Sequence, residues 1–187
     1  MSIDFDVYAV APALPLGEAA RRVLERWTAL GFRMEPTAFS DADGADIEAP
    51  LQGEWAPVVN AWSWVALWGH REGPSIGVIL EPAGPAALGV SFTMSFNLLR
   101  RLLEEGREDG VFAPIVEALS VLGARVAAGD PNWDFEPASE EEVAAAFARD
   151  PYLAFVRQGL DTRPATPEEY ITRERPGGFT VFQHEDL

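Results

Sequence analysis

The sequence contains no cysteine, which removes disulfides, thiolate nucleophiles and sulfur-ligated metals together. Lysine is absent as well, so all 14 basic residues are arginine. No Schiff base, lysine general base or P-loop lysine is available. Abundant alanine, glycine, proline and arginine beside missing lysine is what a GC-rich coding genome yields; a salt-adapted proteome is a second source of the same bias. Only 2 histidines are present, too few for a dedicated histidine metal site, and no cofactor or metal is expected. No apolar run approaches the roughly 18 residues that cross a bilayer. The opening Met1-Ser2-Ile3-Asp4-Phe5-Asp6 is acidic where a secretory signal is basic, so the expected location is cytoplasmic.

Positive charge is scarce too: 30 acids against 14 arginines leave a net charge of −16. Such a chain repels nucleic-acid phosphates and anionic membrane surfaces. A basic protein is the partner it would attract, with electrostatic steering of the approach. Acidity also serves solubility alone, and oligomeric state is not readable from these residues.

A hydrophobic content of 48% fits a folded chain rather than a disordered one. We expect a single α+β domain over residues 1–158, then an irregular tail over 159–187 with a candidate edge strand at Phe179-Thr180-Val181-Phe182. The start reads as β-α-β. Ile3, Phe5, Val7 and Ala9 alternate as a strand, and Leu16, Val23, Trp27 and Leu30 follow a helical period. Gly31 is placed to end that helix, and Phe32 and Met34 begin a second strand. Residues 40–54, with Asp41, Asp43, Asp46 and Glu48, read as an acidic loop.

An antiparallel meander comes next, over Val58–Trp68, Ser75–Glu81 and Ala87–Phe96. Parity puts Trp62, Trp64 and Trp68 with Leu88, Phe92 and Met94 on a large-residue core face, covered by helices from the second half. Gly77, Gly89, Ser91, Thr93 and Ser95 make the other face smooth, either plain sheet surface or a floor for a ligand. Helices are expected over Leu98–Leu103, from Val111 through Val126 up to Gly129, over Ser139–Arg149 behind a capping box, and from Pro151 to about Arg157.

Two motifs imitate chemistry. Gly73-Pro74-Ser75-Ile76-Gly77 matches the G-x-S-x-G elbow, yet Val78-Ile79-Leu80 reads as strand where that motif needs a helix. Asp130 to Glu136, with Glu141 at the twelfth place, resembles a calcium loop, but Phe135 stands where glycine makes the turn. His70 reads as a solvated hairpin-tip residue.

With most nucleophiles and bases missing, the favoured function is non-enzymatic: an acidic protein-binding domain, an inhibitor or immunity-type protein for a basic partner. Its contact residues are expected at Asp41, Asp43, Asp46 and Glu48, and at Asp130, Trp133, Asp134 and Glu136. The rival is a small-molecule-binding domain or carboxylate-dependent enzyme with a pocket between the smooth sheet face and the helices.

Overall fold

The computed structural model describes residues 3–34, 37–40, 46–49, 64–71, 75–131 and 137–187, with backbone only for 37–40 and 46–49. In chain order the elements are β1 (Asp4–Pro12), α1 (Leu16–Ala29), β2 (Arg33–Met34), β3 (Thr37–Ser40), β4 (Asp46–Ala49), β5 (Trp64–His70), β6 (Ser75–Pro82) and β7 (Ala87–Ser95). Then come α2 (Phe96–Glu104), α3 (Asp109–Leu122), β8 (Val126–Pro131), α4 (Glu140–Phe147), β9 (Leu153–Arg157), β10 (Tyr170–Arg175) and β11 (Phe179–His184).

The α+β class is as the patterning indicates. Every strand pair among the described residues is antiparallel, and the open sheet runs β10-β11-β9-β8-β1-β7-β6-β5-β3-β4, with β2 also on β5. The β-α-β start supplies the central strand: β1 lies between β7 and β8. One face carries Phe5, Val7, Leu67, Val78, Phe92 and Phe155 into a core shared with Val23, Phe112, Ile115 and Leu119 of the helices. Helix α1 joins α2 and α3 of the second half in that layer. Its fully buried Trp27 donates Nε1–H to the Pro114 carbonyl oxygen at 2.9 Å. The opposite face carries a smaller core, in which Val143 and Phe147 of α4 pack on Val10, Ala128, Ala154 and Val156.

Several elements depart from the sequence expectation. Helix α3 stops at Gly123, whose φ of 80° is the left-handed cap geometry glycine adopts without strain. Val126 to Pro131 is therefore strand, and Gly129 sits inside it for want of space. A Cβ there would lie 2.6 Å from the Asp6 carbonyl oxygen. The stretch Leu153–Arg157 is strand rather than helix, because alternation buries Leu153 and Phe155 on one face and Ala154 and Val156 on the other. Asp46–Ala49, within the expected 40–54 loop, is a strand paired with Thr37–Ser40. The segment after residue 158 carries the β10–β11 hairpin; β11 lies inside the sheet on β9, and β10 takes the edge.

The parity of β5 is also reversed. Val65 and Leu67 face the helices, and Trp64 and Trp68 face the other way. Trp27 and Phe32 fill the space on the helical side so fully that a Cβ on Gly69 would meet both at 3.0 Å. Gly77 leaves room on the other side, where its own Cβ would be 2.7 Å from the Trp68 ring.

Candidate functional site

The strand register assembles a transverse row of side chains on the face opposite α1–α3. Trp68 pairs with Gly77, Gly77 with Thr93, Thr93 with Asp6, and Asp6 with Asp130. Beyond Asp130 the row continues through Tyr152 to His184, whose amide donates to the Tyr152 carbonyl oxygen at 2.9 Å, and then to Tyr170 opposite His184. Alternation puts the strand members of this row on one face, since each strand turns every second side chain the same way; Tyr152, just before β9, also packs on the main core. Two carboxylates thus sit at the middle of an otherwise aromatic and small-residue row.

Their environment disfavours charge. Burial is the main reason the Asp130 carboxyl is pushed up from 3.8 to about 6; the Tyr152 backbone N–H and the nearby His184 pull the other way. Burial also raises Asp6, opposed by a hydrogen bond from the Thr93 side chain and reinforced by Asp4. Among the described residues no arginine forms an ion pair with Asp4, Asp6 or Asp130.

At the end of the row the tyrosines and His184 are tightly held. Tyr170 donates its hydroxyl to the Pro151 carbonyl oxygen at 2.5 Å, and burial raises its pKa. The His184 Nδ1 accepts the Asp186 amide at 3.2 Å, which leaves Nε2 to face Glu169 Oε2 at 3.2 Å. Tyr152 and Tyr170 pack their rings on His184 at 5.6 and 5.2 Å. Among the described residues, no group of three or more histidines and carboxylates is gathered closely enough to hold a metal ion.

Of the expected contact residues, Asp130 is the one whose side chain is described, half-buried in β8. Asp46 and Glu48 lie on β4 and Asp46 pairs with Ser40, with backbone alone described. Asp41, Asp43, Trp133, Asp134 and Glu136 lie outside the described residues, as do Trp62, Glu72, Gly73 and Pro74. The elbow pattern is excluded by its strand setting, because Ser75 and Gly77 are both within β6 and no helix begins there. The calcium-loop pattern starts in a strand, not at a helix end. His70 closes β5 opposite Arg33 and Ser75 rather than tipping a hairpin. Asp6, Tyr152 and His184 are not singled out by the sequence expectation. A signal for Asp6 exists in it, as the alternation that assigns Phe5 and Val7 inward turns Asp4 and Asp6 outward.

Several cavities adjoin these layers, among them one of about 560 Å³ beside Pro12, Ala86 and Ser139. On the smooth face a pocket of about 290 Å³ is lined by Tyr8, Gly89, Ser91, Pro137 and Ala138. On the helical side a groove of about 520 Å³ opens between the α2–α3 connection and the β10–β11 turn, with Leu102, Ala113 and Val116 as walls and Arg71, Arg107 and Arg175 around it.

No family model and no curated protein matches the sequence. Among solved structures, the Pseudomonas aeruginosa T6SS protein PA0821 is similar, with a TM-score of 0.51 at 10% identity. The superposition covers 97% of this chain and 65% of that one, so the chain spans just under two-thirds of its length. At that identity the likeness is one of fold.

Proposed function

We propose that this chain is an acidic protein-binding domain that acts as an inhibitor or immunity-type protein toward a basic partner. The observation behind it is the combination of a net charge of −16 with carboxylates on the sheet face that no arginine of the described residues neutralises. A cationic side chain from a partner would relieve the burial cost that Asp6 and Asp130 now bear. The contact set proposed is Asp6 and Asp130 together with Asp41, Asp43, Asp46, Glu48, Trp133, Asp134 and Glu136. The fold likeness to a T6SS protein is compatible with an immunity-type role and leaves the partner's nature open.

Capture of partners on the immobilised full chain at low salt, followed by binding kinetics, tests this reading. Captured proteins should be basic, and their association should slow steeply as ionic strength rises. The triple change Asp4→Asn, Asp6→Asn, Asp130→Asn should slow association further. Partners that are acidic, or binding indifferent to salt, would overturn the proposal.

A further inference from the structure

The groove beside α3 has a different character from the acidic face, and it does not depend on the reading just proposed. Its volume of about 520 Å³ falls within the roughly 300–1,000 Å³ typical of small-molecule sites. Leu102 and Val116 are buried side chains of the main core that surface at its wall, so the interior is apolar. Three of the chain's 14 arginines surround it.

Those arginines are unequally committed. The Arg175 guanidinium is bonded to Asp109 and sits 3.3 Å from Glu108, with its central carbon 5.4 Å from the Phe112 ring centroid. Even so its buried Nε has no hydrogen-bond partner among the described residues. Arg107 meets Glu105 at 2.9 Å through Nη1 alone and stays more than half exposed. Arg71 has neither ion pair nor hydrogen bond among the described residues. The acids lining the groove are already engaged, Asp109 by Arg175 and Glu117 by Arg26 at 3.9 Å. Donor capacity is therefore left over beside an apolar wall, in a chain whose charge elsewhere is overwhelmingly negative.

The turn that forms one side of the groove is fixed in place. Gly177, at φ 88°, approaches so near to α3 that a Cβ would be 3.1 Å from Ser120 Oγ and 3.4 Å from Val116. Together with the Arg175 contacts, this ties the hairpin to the helix and gives the groove a rigid wall, which lowers the ordering cost of binding.

We infer that this groove binds a small amphipathic anion, with its apolar body against Leu102, Ala113 and Val116 and its carboxylate, sulfonate or phosphate on Arg71 and Arg107.

Anilinonaphthalene sulfonate, an apolar ring system with one sulfonate, is a suitable probe on the full chain, beside its uncharged analogue phenylnaphthylamine. Fluorescence titration should saturate at one site, with the sulfonate the tighter of the two. Amide chemical shifts should move at Gly110, Ala113, Val116 and Gly177. Arg71→Gln with Arg107→Gln should weaken the sulfonate about tenfold and leave the uncharged dye within about twofold. Ala113→Trp should abolish both by filling the groove. Equal affinity for the two dyes, shifts confined to other regions, or full binding by a folded Ala113→Trp variant would each overturn the inference. Should Ala113→Trp fail to fold, the shift mapping on the unmodified chain decides.

Discussion

Asp6 and Asp130 are direct cross-strand partners at the centre of the sheet, on the face turned away from the three-helix layer. Partial burial disfavours the charged form of both carboxylates. The Asp130 carboxyl, raised from 3.8 to about 6, holds its proton more tightly in the folded chain than in the unfolded one. Between those values the native state binds more protons, so this group's contribution to stability declines as pH rises from about 4 to 6 and stays low above that. Asp130→Asn should therefore stabilise the chain near neutral pH by about 1 kcal/mol, after allowance for solvent screening. At about pH 4 the gain should vanish. Urea denaturation at the two pH values reads this directly, and an equal gain at both would contradict it.

Two glycines of the sheet separate backbone crowding from side-chain crowding. A Cβ on Gly129 would meet the Asp6 carbonyl oxygen at 2.6 Å, and paired backbone cannot move aside cheaply. A Cβ on Gly77 would meet side chains instead, the Trp68 ring at 2.7 Å and the Thr93 methyl at 2.9 Å, and side chains yield more readily than paired backbone. Gly129→Ala should cost about 2–3 kcal/mol, whereas Gly77→Ala should cost about 1 kcal/mol. Thermal or urea unfolding of the pair is the measurement, and comparable losses would refute the distinction.

Helix α4 depends on its first turn. Ser139 Oγ accepts the Glu142 amide at 3.2 Å, and Glu142 Oε2 accepts the Ala138 amide at 2.8 Å, a capping box whose return bond falls one residue before the N-cap. Ser139→Ala should cost about 1 kcal/mol. Amide exchange should accelerate at Glu142 and Val143 before it does in β8, since the helix sits over the smaller of the two cores. Unchanged protection at those amides would show that the cap contributes nothing.

The capping box, the α2 helix and the meander are legible because each follows from local pattern. What misled was residue chemistry whose meaning depends on tertiary space. Gly129 looks like a helix terminator, yet it is the one residue small enough to cross β1. The β5 tryptophans look like core by size, but Trp27 and Phe32 already occupy the volume they would need. Leu153-Ala154-Phe155-Val156 is too short for period alone to separate strand from helix. The acid row escaped notice because its members lie on strands far apart in sequence, and a single chain does not say which strands meet.

The position of β1 also constrains how the chain acquires its structure. Its neighbours are β7, at Ala87–Ser95, and β8, at Val126–Pro131, so the earliest of these strands to be made cannot pair along both edges until residue 131 has been made. During synthesis α1 and the β5–β6–β7 meander can assemble locally while β1 waits with its edges open. Closure of the sheet centre is a long-range event, slow by the measure of contact order, and it exposes an apolar strand for as long as it lasts.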